Sequence, residues 1–331
     1  MKRKLFSVVL SVFALLLLMG AAANPQPVSA LVAEEESAPS QEAALETEAQ
    51  PTEDPTVQPG EPAGEEVPAE DGAPTEDPVV EEEPTTDSRL LFDGLPTPLT
   101  LGKYYQKGVT YVSVAGMAQL LDPDAQIEWD GETMTVSTQT LSLTAKAGQL
   151  YVVANGRYLY VPEMVQLPEN GQLSAPLWAL TKAFNATLLY DIQTGITTVT
   201  RGTGAIVSGE DFYNTEDLYW LSRIIYRESG NQSLEGQMAV GNVVLNRVAS
   251  SIFPDTVESV LAQKNQFSCY KSGALAKTTP SQSSIIAAKL VMDGGVVEET
   301  SGALFFDSGT NSWAARNKKH IATIGDHKFY G

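Results

Sequence analysis

The chain has 331 residues, with 41 Asp and Glu against 21 Lys and Arg, and its formal net charge at pH 7 is −20. Such an acidic chain disfavours nucleic acid as a partner, because phosphate backbones are bound through clustered Lys and Arg. The single Cys excludes an intramolecular disulfide, and the two His are too few for most catalytic metal sites.

The N-terminal part of the chain is typical of an exported protein. Residues 1–30 combine a basic start at 2–4, an apolar core over 5–19 and small residues at 28–30, which is the pattern of a secretory signal peptide. No later segment is long and apolar enough to span a bilayer. We therefore predict a secreted, extracellular protein.

Residues 31–88 form an acidic segment rich in Glu, Pro, Ala and Thr. It contains 19 Asp and Glu and no Lys or Arg, and such a composition cannot bury enough apolar surface to fold. We predict a disordered, extended tether. Without the tether and the signal segment, residues 89–331 carry a net charge of −4, so the folded part is close to neutral.

Residues 89–202 alternate short apolar runs with turn signals, which predicts an α+β domain built mostly from strands. Asn155-Gly156 between two apolar runs predicts a hairpin with a primed turn. The pattern of residues 108–136 recurs at 171–199, as strand, short helix, strand, turn and strand. The offset of about 63 residues between the two copies predicts a duplicated unit.

This stretch resembles the copper amine oxidase N-terminal domain, an accessory unit of exported bacterial proteins. The resemblance rests on Gly108-Val109-Thr110-Tyr111, on the short helix that follows, on Ile127-Glu128-Trp129-Asp130, and on the second copy of the pattern. It does not imply copper, because residues 89–202 contain no His and no Cys. It implies a separate accessory domain that positions the protein or binds a cell-envelope ligand.

Three aromatic residues of this domain, Trp129, Trp178 and Tyr190, allow two interpretations. Exposed rings at these positions would stack on sugars, whereas buried rings would form part of the core. Aromatic residues at strand positions pack in the core more often, so we expect the second outcome.

Residues 216–228 are predicted to form an amphipathic helix that carries one carboxylate on its apolar side. Asn214 and Thr215 are good N-cap residues, and acids follow in the first turn. Glu228 lies four residues after Ile224, hence on the apolar stripe. Burial disfavours a charged carboxylate, so its pKa should rise towards the range of a general acid. A solvated helix end is the alternative interpretation.

The rest of the C-terminal part is predicted as helices followed by strands. Residues 234–248 give an almost wholly apolar, buried helix. Next, Asp255-Thr256-Val257-Glu258 predicts a capping box for a short helix, and a polar loop follows at 265–268. A further helix is expected with Pro280 in its first position and a stop at Gly294. Strands are expected at 303–306, 321–324 and 327–330.

Residues 216–331 resemble the bacterial cell wall hydrolase family of the spore-cortex-lytic enzymes. In that family the first Glu of the pattern is the catalytic acid, which here is Glu228. One departure is Asp307-Ser308-Gly309, where family members usually have Asn and Pro, and it affects one wall of the cleft. The resemblance rests on blocks in the family's order: Leu221–Ser229, Glu235–Val240, Val243–Val248, Gln266–Ser268, Phe305-Phe306, Trp313 and Ile324–Tyr330.

The resemblance implies an α+β protein whose catalytic domain, residues 210–331, is mainly helical and lysozyme-like, with a small antiparallel sheet. It implies cleavage of the β-1,4 bond between N-acetylmuramic acid and N-acetylglucosamine in peptidoglycan, at the cell wall. Glycosidases that use water normally need a second carboxylate, and Glu235 suits dipole stabilisation or substrate contact better. A single Glu suffices for a lytic transglycosylase, which we therefore favour.

Seven further residues are candidates for substrate contact. Structural roles are at least as well supported for the amides and the aromatic rings among them, because buried amides satisfy backbone groups and aromatic rings pack in cores. A base role for His327 is disfavoured, since we expect it on a surface hairpin. The candidates are Glu235, Gln237, Asn246, Phe267, Ser268, Trp313 and Tyr330.

Three other functions remain open at this point: a muramidase that uses water, an N-acetylmuramoyl amidase, and a wall-binding protein without activity. A metal-dependent amidase is disfavoured by the two His, and the retained Glu228 disfavours an inactive protein. We expect a monomer that needs no cofactor and binds peptidoglycan glycan strands.

Overall fold

A computed structural model describes residues 85–264, 266–309 and 311–331. The predicted signal peptide and nearly all of the predicted tether lie outside these residues. The first strand begins at Thr86, so the last three residues that we assigned to the tether belong to a folded sheet. In the described part of the chain, no helix has the length and apolar character needed to cross a membrane.

The first folded unit extends from Thr86 to Thr200 and has twelve strands and two helices in the described residues. Helix α1 is Val114–Leu121 and α2 is Leu177–Ala183. The strands are β1 Thr86–Phe92, β2 Leu95–Pro98, β3 Tyr104–Gln106, β4 Val109–Ser113, β5 Gln126–Trp129, β6 Thr133–Ser137, β7 Ser142–Lys146, β8 Tyr151–Ala154, β9 Arg157–Tyr160, β10 Ser174–Pro176, β11 Thr187–Asp191 and β12 Ile196–Thr200.

The strands form three small sheets around one apolar core. Strands β5 to β9 make an antiparallel meander, β10-β4-β3 make a second sheet, and β11-β12-β1-β2 make a third, in which β1 and β12 are parallel. The predicted hairpin at Asn155-Gly156 is confirmed, and both residues have positive φ, as a primed turn requires. Residues from all three sheets and both helices meet in the core.

The two segments predicted to be copies have the same order of elements. The first gives β4, α1, β5 and β6, and the second gives β10, α2, β11 and β12. Strands β4 and β10 pair with each other in one antiparallel sheet. The common origin of the two segments stays a prediction.

The second folded unit, from Gly209 onwards, is mainly helical with a small antiparallel sheet of order β13-β15-β14. Helices α4, α5 and α8 pack on one another around a core of aliphatic residues. The elements are α3 Gly209–Phe212, α4 Thr215–Ser229, α5 Leu234–Ala249, α6 Val257–Leu261, α7 Ser268–Lys271, α8 Gln282–Met292, β13 Phe305–Asp307, α9 Trp313–Asn317, β14 His320–Ile324 and β15 His327–Tyr330.

Three predicted boundaries in this unit are wrong. Helix α6 is capped by Thr256, and Ser259, not Glu258, completes the capping box. Helix α8 begins after Ser281, whose hydroxyl caps the backbone N–H of Ser284, so Pro280 precedes the helix rather than opening it. The expected loop at 265–268 gives way to the helical turn α7 at Ser268.

The two units pack against each other. Tyr160 of β9 belongs to the core of the helical unit. Arg157 makes two hydrogen bonds with the Asp293 carboxylate, Nε to Oδ2 at 2.7 Å and Nη2 to Oδ1 at 2.9 Å. Lys182 Nζ lies 2.5 Å from Asp293 Oδ1. Buried apolar and charged contacts therefore join the first folded unit, which we call the accessory unit, to α8 and the helical core.

Candidate active site

Glu228 lies in the last turn of α4, at the edge of the buried face of that helix. The helix is capped by Asn214, whose side chain accepts hydrogen bonds from two backbone N–H groups. Glu228 follows the buried Ile224 and Ile225 and is itself half-buried. Removal from water raises the pKa of the Glu228 carboxyl, while the charges of Arg227 and Arg247 lower it by less. The shift has the direction predicted from the sequence.

Arg247 of α5 places a buried cation close to this carboxyl. Its side chain is 4% exposed, and its Nε donates to the carbonyl of Leu304 at 2.8 Å while Nη1 donates to Gln266 Oε1 at 3.1 Å. Burial lowers the pKa of Arg247 to about 10, which the negative charge of Glu228 opposes. The guanidinium is therefore still charged at neutral pH.

Three phenylalanine rings surround the Arg247 guanidinium. Its carbon lies 5.2 Å from the centre of Phe253, 5.7 Å from Phe267 and 5.5 Å from Phe305. Cation–π attraction from the three rings offsets part of the cost of burying the charge. The sequence shows Arg247 only as a polar residue in an apolar helix, and nothing in the spacing of the three rings indicates that they converge on it.

His327 also contacts the end of α4, and our expectation of a surface hairpin residue is wrong. The side chain is 7% exposed, at the first position of β15. Burial lowers the pKa of the ring, and the charge of Asp326 and then the main-chain carbonyl of Glu228 act on that pKa in the opposite direction with smaller effect. Cys269 is half-buried, and burial and the charge of Glu228 both raise the pKa of its thiol. His327 and Cys269 thus belong to the surroundings of Glu228.

Gln237 is a structural residue, although we considered it for substrate contact. It is 2% exposed. Its Nε2 donates to the carbonyl of Gln232 and to Ser283 Oγ, both at 3.0 Å, and its Oε1 accepts from Ser284 Oγ at 2.8 Å. Both amide N–H groups are therefore used within the protein, and the side chain joins the start of α5 to α8.

The other polar candidates occupy different positions. Asn246 is half-buried and donates from Nδ2 to the carbonyl of Ala303 at 3.0 Å. Glu235, in the first turn of α5, accepts a hydrogen bond from Tyr160 Oη of the accessory unit at 3.2 Å. Ser268 is exposed at the start of α7. Asn246 and Glu235 are both half-buried and Ser268 is exposed, so all three retain some solvent exposure.

Of the three aromatic candidates, two are buried and one is partly exposed. Phe267 and Tyr330 are buried, at 7% and 3% exposure, which agrees with the core interpretation. Trp313 is half-buried at the start of α9, with its ring 5.7 Å from that of Phe305. Ser312, which caps α9, donates to the Asp307 carboxylate. Asp307, the departure from the family pattern, therefore helps to hold the segment that presents Trp313.

In the accessory unit, our expectation of core packing is wrong for two of the three aromatic residues. Trp129 is 42% exposed and Tyr190 is 65% exposed. Trp129 is the last residue of β5, and Tyr190 is the last but one of β11. Most residues of both strands are exposed to solvent. Trp178 is half-buried and lines a cavity of about 370 Å³ together with Lys182 and Asn185.

Among the residues that the structure describes, no group of three or more His, Cys, Asp or Glu side chains is arranged to hold a metal ion. The side chains whose charges act on the Glu228 carboxyl are instead Arg227 and Arg247. They can stabilise the carboxylate form of a group that donates and accepts a proton, which is acid and base chemistry.

Two family models match the folded part of the chain. The model described as Cell Wall Hydrolase matches residues 231–330, a stretch that begins three residues after Glu228. Residues 231–330 therefore form a cell wall hydrolase domain. The model described as Copper amine oxidase N-terminal domain matches residues 92–199. Both family resemblances found in the sequence are confirmed.

The curated relatives are spore cortex-lytic enzymes. One from Bacillus cereus is 32% identical over 121 residues, which is 35% of this chain and 45% of that protein. One from Oceanobacillus iheyensis is 31% identical over 121 residues, with 35% and 42% coverage. This chain thus spans less than half the length of these relatives.

Two solved structures are similar to part of this chain. One of them is the catalytic domain of the germination-specific lytic transglycosylase SleB from Bacillus anthracis, which is 30% identical to this chain. The match covers 36% of this chain and 97% of that one, with a TM-score of 0.33.

Proposed function

We propose that this chain is an exported enzyme that cleaves the β-1,4 bond between N-acetylmuramic acid and N-acetylglucosamine in peptidoglycan. The observation that carries the proposal is Glu228, a partly desolvated carboxyl with a raised pKa beside the cell wall hydrolase domain. A general acid must hold its proton near the working pH, and desolvation gives Glu228 that property.

The reaction uses one carboxyl group twice. The protonated Glu228 donates its proton to the glycosidic oxygen as the bond from that oxygen to muramyl C1 breaks. The resulting carboxylate then accepts the proton of the muramyl 6-hydroxyl, whose oxygen forms a new bond to C1. The product is a 1,6-anhydromuramyl end, and Glu228 recovers its proton. Arg227 and Arg247 stabilise the carboxylate between the two steps.

Transglycosylation is favoured over hydrolysis by the position of the second acid. Glu235, the nearest acid considered from the sequence, accepts its hydrogen bond from Tyr160 of the accessory unit. In the described part of the chain, the charged groups that shift the pKa of Glu228 are both arginines. An inverting glycosidase needs a second carboxylate to activate water, whereas the internal hydroxyl needs only Glu228.

The test is digestion of purified peptidoglycan by the full chain and by two matched variants. Glu228→Gln keeps the shape of the side chain but removes the ionisable group, so we expect loss of digestion. Glu216→Gln makes the same change in the exposed first turn of the same helix, and we expect digestion at the wild-type rate. Digestion by Glu228→Gln at the wild-type rate would overturn the assignment.

We place the action of this enzyme outside the cell, at the wall, with the glycan strands of peptidoglycan as its partner. The pattern of residues 1–30 supports export, and residues 31–88 have the composition of a spacer. The exposed Trp129 and Tyr190 support an envelope glycan as ligand of the accessory unit, since exposed rings stack on sugars.

A further inference from the structure

The hairpin between β14 and β15 contacts the loop that follows Glu228. Gln232, in the connection between α4 and α5, makes two reciprocal hydrogen bonds with Asp326 in the hairpin turn. Its Nε2 donates to Asp326 Oδ2 at 3.0 Å, and its Oε1 accepts from the Asp326 backbone N–H at 3.1 Å. The two residues are 94 positions apart in the chain. The bonds therefore join the β14–β15 hairpin to the loop that follows α4.

The turn is shaped for this close contact. Gly325 has a φ of 54°, in the left-handed region that favours glycine. A Cβ atom at this position would collide with Gln232 Oε1. Glycine thus serves both the backbone conformation and the approach of the amide.

His327 places its ring next to the main chain of Glu228. Its ring is buried beside the Glu228 main-chain carbonyl, and it meets the ring of Phe306 edge-on at 5.6 Å. Burial keeps the ring neutral by lowering its pKa. A neutral imidazole carries one N–H donor, so it can support a carbonyl without adding a charge next to the carboxyl. Its Nδ1 is buried with no hydrogen-bond partner among the described residues.

The same loop is held from its other side. The carbonyl of Gln232 accepts from Gln237 Nε2 at 3.0 Å, and Gln237 is bonded in turn to Ser283 and Ser284 of α8. The segment from Glu228 to Gln232 is therefore fixed between the helical core and the C-terminal hairpin.

We propose that the turn Gly325-Asp326-His327 is a positioning element for Glu228. Its contacts fix the last turn of α4 and so set where the carboxyl meets the glycosidic oxygen. The inference rests on the proposed role of Glu228. A displacement of about 1 Å can cost a catalytic group about a hundredfold in rate, so these contacts matter for turnover more than for substrate affinity.

The test compares the two histidines of the chain. His327→Phe keeps an aromatic ring against Phe306 but removes both nitrogens, and His327→Gln keeps an N–H donor. His320→Phe is the matched control, because His320 is exposed on the neighbouring strand and contacts Thr323. The readouts are kcat and the half-saturating concentration on purified peptidoglycan, together with the thermal unfolding midpoint.

We expect His327→Phe to lower kcat by about tenfold to a hundredfold, with a half-saturating concentration within about twofold of wild type. His327→Gln should recover part of the lost kcat, and His320→Phe should match wild type. Wild-type kcat in His327→Phe, or a loss confined to the half-saturating concentration, would overturn the proposal. Complete loss in both His327 variants would also overturn it, because it would make the ring a catalytic group.

A second variant guards against misfolding of His327→Phe. Gln232→Ala changes a partly exposed loop residue and removes both bonds to Asp326. We expect a lower kcat in a protein that unfolds close to the wild-type temperature, and an unchanged kcat would contradict the proposal. Failure of the proposed function is distinguishable, because wild type would then leave peptidoglycan intact or Glu228→Gln would digest it at the wild-type rate.

Discussion

Glu228 is subject to two opposing effects, and their balance sets the chemistry of this site. Desolvation against the α4 face raises the pKa of the carboxyl, while Arg227 and Arg247 lower it by less. A proton donor that must later act as a base needs both effects. Desolvation keeps the acid protonated before bond cleavage, and the arginines stabilise the carboxylate that cleavage leaves.

The exposed arginine gives a test of this balance. Arg227→Gln removes a positive charge that lowers the pKa of Glu228, so that pKa should rise. Because the acid form is active, the alkaline limb of the pH–rate profile should move to higher pH. High salt should narrow the difference, since it screens the exposed charge. Arg223→Gln, in the same helix, is the control and should leave the limb in place.

The raised pKa also predicts how stability depends on pH. The folded state binds the Glu228 proton more tightly than the unfolded state, so the associated stability is lost as pH rises through the folded-state pKa. Glu228→Gln has no such loss. Urea unfolding should show a larger advantage of Glu228→Gln over wild type at pH 8 than at pH 4. An equal difference at both pH values would contradict the burial argument.

Among the elements, α5 is the central helix of the hydrolase domain, and Gly241 lets its neighbours pack closely. A Cβ at Gly241 would lie 2.9 Å from Ile225 Cδ1 of α4 and 3.1 Å from Val291 Cγ2 of α8. The contacts of these three helices form the platform that carries Glu228 and Arg247.

Overpacking at this position should therefore destabilise the domain. Gly241→Val adds branched atoms between three buried helices, and we expect a loss of about 1–3 kcal/mol in the free energy of unfolding. Gly309→Ala is the control, because open space surrounds that position. Equal stability of Gly241→Val and wild type in chemical denaturation would show that the helices do not meet as described.

Helices are predicted closely where their signals are local in the sequence. The predicted helices at 216–228 and 234–248 correspond closely to α4 and α5, because caps and apolar periodicity are local. The predicted starts of α6 and α8 differ from the observed ones by one or two residues. In each case two adjacent residues can open the helix, Asp255 or Thr256 for α6 and Pro280 or Ser281 for α8. Packing selects between them.

The site is less predictable than the elements. The position of Glu228 on the apolar stripe follows from helical spacing alone. The partners of Arg247 and the contact of Gln232 with Asp326 join residues far apart in the chain, and no local pattern encodes such distances. His327 was misjudged for the same reason, because its burial depends on the end of α4 rather than on its own hairpin.

In the whole molecule, Asp293 is the main polar contact between the accessory unit and the hydrolase domain. Its side chain is 2% exposed, and that of Arg157 is 9% exposed. The Arg157 guanidinium also stacks on Phe212 at 3.4 Å from the ring centre. Through this contact the accessory unit supports the C-terminal end of α8. The sequence pattern, which predicts a separate domain, does not indicate this role.

Breaking this pair from one side should therefore be costly. Asp293→Ala leaves Arg157 buried without its counter-charge, and we expect a loss of about 3–5 kcal/mol in the free energy of unfolding. The double variant Arg157→Met with Asp293→Leu should be less destabilised, because no buried charge remains. Glu132→Gln, which breaks a solvent-exposed pair with Lys146, is the control and should unfold like wild type.

The products released from purified peptidoglycan test the central claim most directly. Mass spectrometry of muropeptides separates three reactions: 1,6-anhydromuramyl ends mark transglycosylation, reducing muramyl ends mark hydrolysis, and free stem peptides mark an amidase. We predict anhydro ends from the wild-type chain and no release by Glu228→Gln. Reducing muramyl ends or free stem peptides as the main products, or release by Glu228→Gln, would contradict the account of Glu228 as a single acid and base.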